Sequence, residues 1–209
     1  MKSLSTTVTN LPASGIRKFF DLVAELDDVI SLGVGEPDFV TPWRVREAAI
    51  HSLEQGRTTY TSNYGLLELR DAIGQQIAGR YGVNYCHRDE VLVTVGVSEG
   101  LDAAFRAILN PGDEVLVPEP CYVSYAPCVL FAGGTPVPVP TSAADGFKVQ
   151  ADNLSAYITP KTKAILLSYP TNPTGAVMGR QELQDVVDVA IENDLYILSD
   201  EIYDRLSYD

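Results

Sequence analysis

Ser168-Tyr169-Pro170-Thr171-Asn172-Pro173-Thr174-Gly175 and, one helix length later, Ser199-Asp200-Glu201-Ile202-Tyr203 decide the fold of this chain. Each follows an apolar run: Ala164-Ile165-Leu166-Leu167 before the first, Leu195-Tyr196-Ile197-Leu198 before the second. Short apolar runs that end in turn residues and are separated by a helical interval read as buried strands of a parallel sheet. In such a sheet, ligands bind in the crevice beyond the carboxyl ends of the strands. Asn172, Asp200 and Tyr203 are therefore expected to converge there, offering an amide, a carboxylate and a phenol.

Working outward, the alternation continues in both directions. Strands are predicted at Val91–Val95, Glu114–Val117, Thr135–Val139, Ala164–Ser168 and Tyr196–Ser199, and helices at Ser98–Leu109, Tyr122–Phe131 and Gln181–Glu192. The expected fold class is α/β, a mainly parallel sheet with flanking helices. Upstream, Thr41-Pro42 reads as an N-cap with proline at the first helical position of a helix to about Gln55, closed by Gly56. A second helix is expected from about Leu66 to Tyr81, between Gly65 and Gly82. Ile16, Phe19, Phe20, Val23 and Leu26 recur at helical spacing in an N-terminal arm. Ile30 to Phe39 reads as an extended segment running into a Gly/Pro turn. The organisation predicted is an arm over residues 1–45 and one large, incomplete domain over 46–209.

Composition excludes several function classes. The formal net charge of −13 argues against binding nucleic acid or anionic lipid. No apolar run reaches the ~18–20 residues a membrane helix needs, and the first residues carry no continuous apolar signal region. Cys86, Cys121 and Cys128 form an odd set without a C-x-x-C pair, which suits free thiols in a reducing cytoplasm. With only His51 and His87, a histidine-rich metal site is not expected.

The amide, carboxylate and phenol suit an aromatic cofactor whose ring nitrogen is kept protonated and whose phenolic oxygen is held. Taken singly they have plain structural readings: Asp200 as a loop salt bridge, Tyr203 as a packing tyrosine, Asn172 as the turn residue before Pro173. Together, in this order, Asn-Pro-Thr-Gly and Ser-Asp-Glu-Ile-Tyr resemble the fold-type I, class I/II aminotransferases of the aspartate aminotransferase type, which use pyridoxal 5'-phosphate (PLP). The resemblance covers nearly all of this chain but only the first part of the family's sequence.

It implies that Asp200 faces the pyridine nitrogen and that Tyr203 and Asn172 donate to the phenolic oxygen. Gly96, Val97 and Ser98, in the strand-to-helix turn Thr94-Val95-Gly96-Val97-Ser98-Glu99-Gly100, would cradle the phosphate through backbone N–H groups at a helix N-terminus. Glu99 departs from the usual small residues of that turn, and its carboxylate must point away from a phosphate. Tyr122 in Glu119-Pro120-Cys121-Tyr122 would stack on the ring. Tyr60, in Thr58-Thr59-Tyr60-Thr61, would reach the phosphate of a partner subunit, implying a homodimer; Tyr64 is the competing choice, better suited to packing. Gly35, in Gly33-Val34-Gly35-Glu36-Pro37, would let a backbone N–H approach the substrate carboxylate.

The family's Schiff-base lysine lies beyond its Ser-Asp-Glu-Ile-Tyr-like segment. The five lysines here, Lys2, Lys18, Lys148, Lys161 and Lys163, all precede it and read as solvated charges. No residue in the chain is therefore assigned the catalytic lysine's role, and the chain alone is expected not to transaminate. The activity implied for the parent protein moves an amino group between an α-amino acid and a 2-oxo acid. The alternatives are a PLP-dependent C–S lyase on the same fold or a non-catalytic PLP-binding module. A nicotinamide enzyme would need Gly-x-Gly-x-x-Gly at a strand–helix turn, which Gly96-Val97-Ser98-Glu99-Gly100 does not supply.

Overall fold

The computed structural model describes residues 2–11, 30, 35 and 39–207. The helical arm expected at Ile16–Leu26, and most of the extended segment at 30–39, lie outside the described residues. The chain forms two compact units, one of residues 13–94 and one of residues 1–12 together with 95–209, so the division falls between Thr94 and Val95.

In the second unit, after a single turn of helix, α1 (Thr6–Thr9), capped by the Ser5 hydroxyl, comes the α/β alternation read from the sequence. Its elements are α4 (Gly96–Ile108), β1 (Glu114–Glu119), α5 (Tyr125–Phe131), β2 (Thr135–Pro140), α6 (Ala151–Ser155), β3 (Thr162–Ser168), α7 (Arg180–Glu192) and β4 (Tyr196–Asp200). All three strand pairings are parallel, in the order β2-β1-β3-β4. Successive strand residues point to opposite faces, so each apolar run serves two core clusters. Val115, Val117, Ala164 and Leu166 pack with Leu101, Phe105 and Val129 of α4 and α5, while Leu116, Ile165 and Leu167 pack with Leu154, Val186 and Val189 of α6 and α7. Helices on both faces make the central strands continuous apolar runs rather than alternating ones. Phe105, Leu116 and Ile165 are wholly buried, each contributing roughly 1.5–3 kcal/mol.

Two departures from the sequence reading concern strands. β4 is not a buried strand along its length: Tyr196 and Ile197 are 56% and 37% exposed, because among the described residues β4 pairs only with β3. The strand expected at Val91–Val95 does not form. It joins no strand ladder among the described residues, and Val93 N–H donates instead to the Tyr64 carbonyl at 3.0 Å. Apolar β-branched sequence alone does not make a strand without a neighbour to pair with.

The other unit contains α2 (Trp43–Glu54) and α3 (Leu67–Tyr81). α2 is capped by Pro42 itself rather than by Thr41, since Val45 and Arg46 both donate to the Pro42 carbonyl. α3 ends on Gly82 at φ 70°, the left-handed position glycine tolerates. Arg70 of α3 is buried and donates to the His87 and Arg88 carbonyls at 3.0 Å each, tying the following loop to the helix. Gly65 has φ +95°, and a Cβ on it would sit 2.5 Å from the Val93 Cβ, so only glycine fits that turn.

Candidate active site

The parallel register brings the two diagnostic motifs side by side. Ser168, the last residue of β3, pairs with Asp200, the last of β4. Asn172 and Tyr203 therefore leave the same end of the sheet, four and three residues beyond that pair. The first loop is shaped by its glycine: Gly175 sits at φ 70° and donates to the Thr171 carbonyl at 2.7 Å, while Thr171 donates to Ala176 at 3.0 Å. The second loop turns on Asp200 itself, whose Oδ1 accepts from Ile202 N–H at 3.2 Å, a local side-chain turn that Asp favours. The amide and the phenol meet, with Asn172 Nδ2 donating to Tyr203 Oη at 3.4 Å. That is long for a hydrogen bond, so both groups remain available to a stronger acceptor placed within reach of both.

Asp200 is the centre of the arrangement. It is 7% exposed, and its Oδ2 accepts from the hydroxyl of Tyr125 at 2.7 Å. Among the described residues it has no lysine, arginine or histidine partner. A buried carboxylate without a cation is costly. Its donors are one phenol and one backbone amide, which leaves it able to take a further N–H from a cationic group.

Tyr125 was not among the residues singled out by sequence. Burial first, then Asp200, holds its phenol well above the ordinary tyrosine range, while the nearby Ser168 hydroxyl acts in the opposite direction. The phenol therefore keeps its proton and serves as a donor. The signal available in the sequence was the Tyr122-x-x-Tyr125 spacing at the head of a helix. The two rings do meet edge to face, with centroids 5.6 Å apart at 80°. Tyr122 itself precedes α5 by three residues instead of starting the helix, and it is partly buried against the core.

Of the strand-to-helix turn expected at Gly96, only the helix forms. α4 begins at Gly96, which adopts φ +74°, and helix geometry leaves the first-turn N–H groups of Val97 and Ser98 without an intrahelical carbonyl. The Val97 side chain packs on the core, so any ligand contact there is through its backbone. The Glu99 carboxylate accepts from Val95 N–H, caring for the helix start that Val95 cannot cap with its own side chain. A cleft of about 480 Å³ runs between the Val97, Leu101 and Ala104 face of α4 and the end of β4, with Asp200 in its wall. Asn172, Tyr203 and Tyr122 do not line it.

Tyr60 and Gly35 belong to the other unit. Tyr60 is fully exposed, while Tyr64 is engaged: its ring lies 5.7 Å from the Arg70 guanidinium and its carbonyl accepts from Val93. Gly35 is exposed, and a Cβ on it would meet nothing within 4 Å. The residues on either side of it, 31–34 and 36–38, lie outside the described residues. Two of the lysines read as solvated are in fact paired. Lys148 Nζ lies 2.8 Å from Glu182, and Lys163 Nζ lies 3.1 Å from Asp113.

The family model for aminotransferases of class I and II matches residues 27–209. The chain belongs to this family. It is 53% identical over 206 residues to YugH of Bacillus subtilis (strain 168), a protein named as an aminotransferase, covering 99% of this chain and 53% of that one. It is 42% identical over 207 residues to aromatic-amino-acid aminotransferase 2 of Thermococcus litoralis, covering 99% of this chain and 53% of that one. The crystal structure of Thermus thermophilus aspartate aminotransferase with maleate superposes with a TM-score of 0.93 at 40% identity, over 100% of this chain and 56% of that one. The fold is thus the aspartate aminotransferase-like α/β fold, and the chain spans about half the length of the relatives it matches.

Proposed function

We propose that the parent protein is an aminotransferase that uses PLP to move an amino group between an α-amino acid and a 2-oxo acid; no lysine of this chain is assigned the role of carrying the cofactor, and the chain alone is not expected to transaminate. The observation that carries this reading is Asp200: a buried carboxylate at a parallel sheet's carboxyl edge, held by two donors and lacking a cation among the described residues. Such a group fits the pyridinium nitrogen of PLP, and the Asn172–Tyr203 pair beside it fits the ring's phenolic oxygen.

When bound, PLP supplies an electron sink for charge developed at the substrate's α-carbon. Asp200 holds the proton on the ring nitrogen. Asn172 and Tyr203 donate to the ring oxygen, stabilising its negative charge. The N–H groups of Gly96, Val97 and Ser98 hold the phosphate at the start of α4, where the helix end favours an anion. Tyr122 covers a ring face. Tyr60, exposed in this chain, serves the phosphate of a partner subunit in a homodimer, and Gly35 admits the substrate carboxylate. Lys148 and Lys163 are taken up by Glu182 and Asp113, so the amine that carries the cofactor is assigned to neither. The protein is assigned to the cytoplasm on its unbridged thiols.

Relatives of comparable identity are named for aromatic amino acids and for aspartate, at 42% and 44%, so this half does not separate the two substrate classes. The test is transfer of ¹⁵N from a panel of amino acids to 2-oxoglutarate by the parent protein with PLP. Transfer that depends on the oxo acid acceptor supports the reading. Release of ammonia and a thiol from a sulfur amino acid, without an acceptor, replaces it with the C–S lyase.

A further inference from the structure

We propose that Tyr125 is a positioning residue for the cofactor's ring nitrogen: its phenol aims and holds the Asp200 carboxylate that receives it. The proposal rests on the reading of Asp200 given above and adds a residue to it.

The geometry leaves Tyr125 little else to do. Its ring is 2% exposed and belongs to the core cluster with Leu101, Phe105 and Leu166. Its hydroxyl is 75 residues away in sequence from Asp200, yet donates to Oδ2 at 2.7 Å. An ionised carboxylate can only accept, so the phenolic proton lies toward Asp200. Ser168, the strand partner of Asp200, is nearly buried, and its Oγ has no hydrogen-bond partner of good geometry among the described residues. A hydroxyl can donate as well as accept, so Ser168 is free to donate toward Tyr125 and reinforce the same polarity.

The carboxylate is then fixed at both oxygens, by Tyr125 at Oδ2 and by Ile202 N–H at Oδ1. Two donors from different elements, α5 and the loop after β4, define the plane of the group. Each oxygen keeps a lone pair for a third donor. Without Tyr125, Asp200 is tied only to its own loop and can rotate about its side-chain bonds. Charge-assisted hydrogen bonds to a carboxylate are the stronger kind, so the aim is maintained at modest entropic cost.

The test compares two probes: pyridoxamine phosphate, which needs no lysine to bind, and its carbocyclic analogue, in which the ring nitrogen is a C–H. The Kd of the analogue divided by that of pyridoxamine phosphate, both measured by equilibrium dialysis, reports the ring-nitrogen contact alone. Tyr125→Phe is expected to lower that ratio about tenfold, and Asp200→Ala to bring it close to one. A ratio unchanged in Tyr125→Phe but lost in Asp200→Ala overturns the positioning role and leaves the function standing. No binding, or a ratio unchanged in Asp200→Ala, overturns the functional reading itself. A second measurement needs no variant. The buried Tyr125 hydroxyl proton is expected to give a slowly exchanging NMR resonance that shifts when pyridoxamine phosphate binds and does not shift with the analogue. An equal response to both probes overturns the proposal.

Discussion

Removing the Tyr125 hydroxyl while keeping its ring isolates one hydrogen bond in an otherwise apolar setting. Tyr125→Phe preserves the core packing with Leu101, Phe105 and Leu166 and the edge-to-face contact with Tyr122. What it deletes is a 2.7 Å donor to a carboxylate that is 7% exposed. Bonds to charged groups are worth about 1.5–3 kcal/mol, and a buried acceptor left unmet adds its desolvation cost. The expected loss of stability is therefore about 2 kcal/mol. Asp200→Ala also costs stability, since it removes both acceptor oxygens. The two losses overlap, because each variant breaks the same bond, so the double variant is expected to fall short of their sum by about 1.5 kcal/mol or more. The probe matters: the single tryptophan, Trp43, lies in the other unit, so its fluorescence reports the wrong part of the chain. Amide exchange at Ile165 and Leu166 in β3, both buried beside the site, reads the right one. Additive losses, with coupling below about 0.5 kcal/mol, would show that Tyr125 and Asp200 are neighbours without energetic contact and would refute the reasoning.

Other outcomes follow from the same structure. Burial first, then the Glu119 charge, pushes the Cys121 thiol up from 9.0 to about 11. A folded-state value raised above the unfolded one gives stability that is present below pH 9 and lost as pH rises toward 11. Cys121→Ala is expected to flatten the pH dependence of chemical denaturation over that window. Lys148, and then Gly179 N–H, hold the Glu182 carboxyl below its ordinary 4.5. That contribution is present above pH 4.5 and lost as the carboxyl protonates, so Glu182→Gln should reduce the acid sensitivity of unfolding below pH 4.5 while leaving the shape of the neutral-pH curve. Gly65→Ala places a Cβ against Val93 at positive φ and is expected to cost more than about 1–2 kcal/mol, read as a lower unfolding midpoint by circular dichroism. A variant as stable as the parent would show that this turn relaxes freely.

How much of this was legible in the residues themselves depends on what kind of interaction made each part. The two central strands, β1 and β3, announced themselves through Val115–Val117 and Ala164–Leu167, because a strand covered on both faces must be apolar throughout. The turns were legible where glycine or proline left no choice, as at Gly82 and Gly175. Val91–Val95 failed because strand sequence is common currency and a ladder needs a partner, which is a non-local fact. The buried faces expected of β4 failed for the same reason. At the site, Asn172, Asp200 and Tyr203 could be placed from their positions just past the strands. Tyr125 could not: its contact with Asp200 spans 75 residues, and a tyrosine near a helix start looks like core. The pairing of Lys148 with Glu182, over a separation of 34 residues, escaped notice for the same reason.

The central claim is that Asp200 meets a protonated ring nitrogen. The direct measurement is the ¹⁵N chemical shift of pyridoxamine phosphate labelled at the ring nitrogen and bound to the protein at a pH where the free cofactor's nitrogen is neutral. The expected result is a pyridinium shift that reverts to the neutral value in Asp200→Ala. A neutral shift in the unaltered protein, or a pyridinium shift that survives loss of Asp200, contradicts it.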